Sequence, residues 1–145
     1  MDGKVLPGTM KKLAVCIPCN WAYLPVPFFT SCVQMISKAR DQYEIAMLLS
    51  NATLIARMRE ELANEALGWG ADMVMWLDAD QYYPTETLVQ LGGHIEAGKQ
   101  VVGGITPHKG DSMPMVWQFG NNYGAGVRQS DFKPDRGLVK VDAMG

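Results

Sequence analysis

Histidine and cysteine are scarce in this chain: two of the first and three of the second in 145 residues. Three cysteines, an odd number, do not make the disulfide framework of a small secreted domain. Cys16 and Cys19 form a C-x-x-C, but Cys16 lies inside the apolar run Leu13 to Ile17. A redox pair sits more often at a helix start, where the thiolate is stabilised. A zinc site needs a second ligand pair, and neither His94 nor His108 has a cysteine near it in sequence. Buried, reduced thiols are the expected state. Long basic runs are also missing and the net charge is −2, which argues against broad binding of nucleic acid through its phosphates. No apolar stretch reaches the length of a bilayer-spanning helix. The first ten residues carry Gly3, Pro7 and Gly8 and lack a secretory apolar core. Residues 1–11 are therefore expected to be a flexible leader, 12–145 a single domain, and the location cytoplasmic. There is no internal repeat and no low-complexity tract.

What the chain does have is enough apolar residue, 48%, to build a core, and too little charge, 19%, for a disordered segment. Lys12 to Ile17 reads as a first strand ended by Pro18. Pro25 and Pro27 suit a helix entrance, and Phe28, Phe29, Cys32, Met35 and Ile36 recur at helical steps. Tyr43 to Leu49 reads as a second strand, closed by Ser50-Asn51. A second helix is expected over about Thr53 to Leu67, with Leu54, Ile55, Met58, Leu62 and Leu67 on its core side, Arg57, Arg59, Glu60 and Glu61 elsewhere, and Gly68 and Gly70 at its end. Met73 to Leu77 is the third strand. Pro84-Thr85-Glu86 opens a third helix, with Leu88, Leu91 and Ile95 as its stripe and Gly98 as its stop, and Lys99 to Gly103 leads into a fourth strand. Strands that alternate with helices predict a three-layer α/β/α domain around a mostly parallel sheet, covered on both faces. Pro114 to Phe119 reads as a strand, Asn121 to Gly137 as a long loop, and Leu138 to Asp142 as a last strand.

The stretch richest in chemistry is Met73-Val74-Met75-Trp76-Leu77-Asp78-Ala79-Asp80. An apolar run stops at carboxylates one residue apart. Asp-x-Asp by itself is a weak signal, and a solvated turn explains it equally well. Its place after a strand and before a helix changes the weighting, because open α/β sheets bind ligands at the carboxyl ends of their strands. Neighbouring carboxylates repel, and a hard divalent cation relieves that repulsion. Mg²⁺ or Mn²⁺ takes one or two protein carboxylates and completes its shell with phosphate oxygens and water. The pattern therefore points to Asp78 and Asp80 as metal ligands facing a diphosphate.

Several segments together resemble the nucleotide-binding part of a GT-A-fold glycosyltransferase, of the large family 2 type. Val15-Cys16-Ile17-Pro18-Cys19-Asn20 resembles that family's first strand and base-contacting loop. Ala56-Arg57 resembles the Ala-Arg ahead of its metal motif, Leu77-Asp78-Ala79-Asp80 with Pro84 resembles its Leu-Asp-Ala-Asp signature, and Val101-Val102-Gly103-Gly104 resembles the next strand. The likeness covers about Leu13 to Gly104. It implies a Rossmann-like nucleotide-binding fold and a metal-dependent transfer of sugar from a nucleoside diphosphate sugar donor to a hydroxyl acceptor. It also implies Mn²⁺ or Mg²⁺ as cofactor. By the same likeness Asp80 binds the metal, Asp78 contacts the metal or the ribose, and Pro18 and Asn20 line the base pocket. Arg57 lies near the nucleotide or else pairs on the surface with Glu60 or Glu61. Trp21 either stacks on a ring or packs as a lid, and the loop holding His108 either meets acceptor or phosphate or is plain surface. His94 is expected to be structural.

The chain departs from the family after the second strand, where an acid usually reads the base; here Ser50 and Asn51 take that place. The family's general base comes later, past a segment that Val139 to Gly145 resembles. The acceptor part is therefore expected to be incomplete, or completed by a partner or an oligomer, and Asp111, Asp131, Asp135 and Asp142 are the later acids. Two alternatives stay open: a nucleotidyltransferase of related fold, disfavoured by the lack of a Gly-rich basic loop after the first strand, and a non-catalytic nucleotide-binding or assembly module.

Overall fold

The computed structural model describes residues 10–20 and 22–104, together with the backbone of three short strands within 116–144. The chain divides into two compact units, Met1–Gly98 and Lys99–Gly145. The first contains β1 (Lys11–Pro18), α1 (Val26–Ala39), β2 (Tyr43–Ser50), α2 (Ile55–Trp69), β3 (Met73–Trp76) and α3 (Thr87–Glu96). Its three strands form a parallel sheet in the order β2-β1-β3. This is a small Rossmann-like α/β arrangement.

Strand order follows from burial. β1 is apolar from Leu13 to Pro18 and every one of those residues is buried, as a strand covered on both faces and flanked on both edges must be. The crossover from β1 to β2 runs one way across the sheet, and the crossover from β2 to β3 runs back past β1. Right-handed crossovers in opposite directions place their helices on opposite faces. The packing agrees: Leu13, Val15 and Ile17 of β1 meet Phe28, Cys32, Met35 and Ala39 of α1 and Leu88 of α3. Ala14 and Cys16, pointing the other way, meet Leu62 and Ala66 of α2.

Local chemistry sets the ends of the elements. Pro25 is the N-cap of α1, and a further proline sits in its first turn, where a missing N–H costs nothing. Ser31, buried on α1, donates its hydroxyl to the Phe28 carbonyl at 2.8 Å. α2 begins at Ile55 rather than Thr53 because Leu54, at φ −105° and ψ 129°, is still extended. It runs through Gly68 and stops at Gly70, whose φ of +80° is the left-handed conformation that glycine supplies without strain. At the amino end of the sheet Asp72 binds Lys12 twice: the Lys12 N–H donates to the Asp72 carboxylate and the Asp72 N–H donates to the Lys12 carbonyl, both at 2.8 Å. Lys12 also lies 5.0 Å above the Trp69 ring, a cation–π contact. On α3, Gly92 is buried against Tyr43, with room for no side chain.

The expected fourth strand at Lys99 to Gly103 does not form; residues 99–104 have no regular structure. Val101 and Val102 have the propensity, but Val101 is 81% exposed, and propensity without a paired neighbour and a buried face does not make a strand. In the second unit β4 (Val116–Phe119) pairs antiparallel with β5 (Gly126–Arg128) on one side and β6 (Ala143–Met144) on the other. β4 lies within the strand expected over Pro114 to Phe119. β5 interrupts the long loop expected over Asn121 to Gly137. The strand expected over Leu138 to Asp142 lies outside the described residues. No helix among the described residues is long and apolar enough to cross a membrane.

Candidate functional site

The order β2-β1-β3 puts a topological switch point between β1 and β3: the chain leaves β1 toward one edge and later returns to the other. Loops diverging at the carboxyl ends of such strands leave a crevice between them. Here the loop after β1 contributes Pro18, Cys19 and Asn20, and the turn after β3 contributes Asp78, Ala79 and Asp80. Together they line an open cleft of about 250 Å³.

Each wall is held from below. The Cys19 N–H donates to the Ser50 carbonyl at 2.9 Å, tying the first loop to the end of β2, and the Leu77 N–H donates to the Cys16 carbonyl at 3.0 Å, extending the ladder one residue beyond β3. Leu77 and Ala79 are buried while Asp78 and Asp80 are exposed. The alternation pegs the turn to the core through the residues flanking Asp78 and leaves both acidic residues on the open side. The Gln81 N–H closes the turn onto the Asp78 carbonyl at 3.3 Å. Tyr83 completes the clamp. Its hydroxyl accepts from the Asp78 N–H at 2.9 Å and donates to the Asp78 carbonyl at 3.1 Å. Its ring packs against the core and meets Phe28 edge-on, with centroids 6.2 Å apart. Burial, with the nearby Cys32, Asp78 and Asp80 adding to it, pushes the Tyr83 hydroxyl up to about 12, although its bond to the Asp78 backbone acts the other way. It stays protonated at any working pH and remains able to donate.

Charge reaches the cleft from the opposite face of the sheet. Arg59, on α2, has its Nη2 4.0 Å from Oδ1 of Asp78, and the two side chains are 56% and 53% exposed. A solvated pair at that distance is weak, so the guanidinium is free to change partners. The other residues expected near a nucleotide lie apart from this lining. Arg57 donates to Glu61 at 3.0 Å, and the Ser50 hydroxyl donates to the same carboxylate at 2.9 Å. These bonds, the Ser50 one first, hold Glu61 below the usual carboxylate range. Asn51 is exposed just past β2, and His94 is half-buried on α3. Trp21, His108, Asp111, Asp131, Asp135 and Asp142 lie outside the described residues. So Pro18, Asn20, Asp78 and Asp80 come together, while Ser50 and Arg57 converge on Glu61 instead.

Sequence reasoning missed Arg59 and Tyr83. Arg59 follows Arg57 by two residues, and only the tertiary path of α2 decides which of them meets the turn. Tyr83 had one readable signal: a tyrosine in an apolar setting needs a partner for its hydroxyl, and the nearest backbone turn is the Asp-x-Asp itself.

The donor set suits a hard cation, since Asp78 and Asp80 offer carboxylate oxygens at a cleft open to phosphate and water. Among the described residues, no cluster of three or more His, Cys, Asp or Glu forms a fuller metal cage. Cys16, Cys19 and Cys32 are all buried. Burial, with Glu65 adding to it for Cys16, pushes the Cys16 and Cys32 thiols up to about 11, which disfavours the reactive thiolate. No family model, no curated protein and no solved structure matches the chain.

Proposed function

We propose that this chain is the donor-binding domain of a metal-dependent glycosyltransferase of GT-A type, which moves a sugar from a nucleoside diphosphate sugar to a hydroxyl acceptor. One observation carries the reading: the Asp78–Asp80 carboxylates and the Pro18–Asn20 loop line a single cleft at the switch point of a parallel sheet. Such a crevice is where a nucleotide binds in open α/β sheets.

In this reading Asp78 and Asp80 hold Mn²⁺ or Mg²⁺, with Asp78 sharing its carboxylate with the ribose. The cation, when bound, acts as a Lewis acid toward the leaving diphosphate, where negative charge develops in the transition state. Pro18 and Asn20 flank the base; Pro18 offers an apolar surface and Asn20 an amide that can both donate and accept. Arg59 stands beside Asp78 with a planar guanidinium suited to phosphate oxygens. Inversion at the sugar would require a carboxylate to take the acceptor proton, and that group is assigned to no residue of this chain.

Titrating nucleoside diphosphates with and without Mn²⁺ tests the reading. Binding should depend on the metal and be lost in Asp80→Ala. Equal, metal-independent binding in that variant removes the mechanism. A donor hydrolysis assay then separates transferase from binding module. Slow, metal-dependent release of free sugar supports catalysis, whereas nucleotide binding without any release supports a module.

A further inference from the structure

We propose that Tyr83 is the positioning residue of the Asp78–Asp80 turn: its hydroxyl, bonded to both the N–H and the carbonyl of Asp78, sets where the two carboxylates stand and so how tightly the cleft holds a divalent cation with a diphosphate. The inference rests on the reading of the cleft given above, and it adds a residue outside the cleft lining.

Four observations converge on it. The bond from the Asp78 N–H, at 2.9 Å, has the length of a well-formed N–H···O bond, and the hydroxyl's own donation, at 3.1 Å, is a longer and weaker second link. They join one hydroxyl to both backbone polar groups of one residue, which fixes the orientation of that residue as well as its position. The ring that carries the hydroxyl is anchored in the largest apolar cluster of the domain, edge-on to Phe28 of α1. The turn is therefore referenced to the helix layer and not only to its own strand. Finally, the bonded residue is Asp78 itself, and Asp80 lies within the four-residue turn from Asp78 to Gln81 that the same carbonyl closes. A displacement of that carbonyl moves both acids together.

The physical consequence concerns like charge. Two carboxylates one residue apart repel, and without a cation a loose turn relaxes by swinging them apart. Binding a cation must then restore the productive geometry at a cost in affinity. A turn already fixed avoids that cost, which is the general reason that groups supporting metal ligands matter nearly as much as the ligands. Tyrosine suits the task because its apolar body packs in the core while its polar tip reaches the surface turn. Phenylalanine at this position would fill the same space and leave the Asp78 N–H without this partner.

Tyr83→Phe is therefore the variant to make, in the full chain, because it removes the hydroxyl and keeps the ring. Mn²⁺ affinity, read from the electron paramagnetic resonance signal of free Mn²⁺ with and without a nucleoside diphosphate, should weaken by roughly 10-fold or more. The control is Leu62→Val, on the opposite face of the sheet. It should lower the unfolding midpoint yet leave Mn²⁺ affinity within about twofold, because thinning that face touches neither bond. Loss of affinity in both variants would mark general loosening and overturn the inference. If wild type binds Mn²⁺ and nucleotide and Tyr83→Phe binds them equally well, the positioning role falls while the reading of the cleft stands. If wild type binds neither, both fall. Amide hydrogen exchange on the wild-type protein gives a check that no variant's folding can obscure. The Asp78 N–H should be protected, and exchange at the rate of an open peptide would overturn the role of Tyr83.

Discussion

The two faces of the parallel sheet are built differently. Against α1 and α3, β1 presents Leu13, Val15 and Ile17, and these meet Phe28, Met35 and Leu88 in a broad cluster of large side chains. Against α2 it presents Ala14 and Cys16, and the buried partners there are Leu62 and Ala66. The register of β1 with β3 places Val74 and Trp76 level with Ala14 and Cys16, and they are 43% and 42% exposed. One face is thick and dry; the other is thin and borders water. The cleft draws on both. Tyr83 reaches Asp78 from the thick face and fixes its backbone, whereas Arg59 reaches Asp78 from the thin face and addresses its charge. The lesson is a division of labour: position comes from packing, and electrostatics from a side where solvent keeps charges movable.

Emptying each face in turn should have the largest effects. Phe28→Ala should cost about 3–5 kcal/mol, and Leu62→Ala about 2–3 kcal/mol, because a thinner layer collapses more readily around the lost volume. Urea denaturation measures both, and a larger loss at Leu62 would reverse the assignment of the dominant core. Next in size is a pair of neighbouring glycines on α3. A Cβ at Gly92 would lie 2.6 Å from the Tyr43 hydroxyl oxygen, whereas one at Gly93 would meet nothing within 4 Å. Gly92→Ala should destabilise by about 1–3 kcal/mol through overpacking. Gly93→Ala should stabilise by about 0.5–1 kcal/mol through helix propensity and a less flexible unfolded chain. Equal effects at the two positions would deny the tightness claimed for that face.

Alkali probes the faces together, since Cys32 belongs to one and Cys16 to the other. Both thiols rise from 9.0 to about 11 on folding, so the folded chain keeps protons that the unfolded chain releases. Their contribution is fully present below pH 9 and should be lost as pH rises through about 11. Tyr83, raised from 10.0 to about 12, extends the same trend upward. Denaturation midpoints on either side of this window should fall with increasing pH, and a flat profile would mean that the thiols are more hydrated than their burial implies. The smallest expected effects on stability are at the arginines. Arg57→Ala and Arg59→Ala should each change the unfolding free energy by less than about 0.5 kcal/mol, as solvated pairs do. Metal-dependent nucleotide binding should separate them, weakening at Arg59, which faces the turn, and changing little at Arg57, which Glu61 holds.

Much of the first unit was legible because its signals are local and periodic. β1 announces itself by an unbroken apolar run, α1 by its helical recurrence of Phe28, Cys32 and Met35, and the end of α2 by Gly70. The Asp-x-Asp was legible as a motif, whereas Pro18 and Asn20 were expected near a nucleotide only through the family resemblance; the strand order of the fold is what brings them to the same cleft. Leu54, Ile55 and Leu67, expected on the core side of α2, are exposed, because the helix buries only a narrow stripe of Met58, Leu62 and Ala66. The misreadings of the strands share another cause, which is that pairing is not written in any one segment. Val101 and Val102 have the residues of a strand but, among the described residues, no partner strand. Gly126, Val127 and Arg128 sit in a stretch rich in Gly and Asn and still pair with β4. The choice between Arg57 and Arg59 depends likewise on how α2 lies over the sheet, which helical periodicity alone leaves open.

The double link between Asp72 and Lys12 bears on how the strands under the cleft are fastened. It sits at the end of β1 and β3 remote from the acidic turn, and the bond from the Leu77 N–H to the Cys16 carbonyl sits at the near end. The floor beneath Asn20 and Asp80 is thus one continuous ladder, fastened at both extremities. Fraying that starts at the amino end is opposed there before it can travel toward the acidic turn.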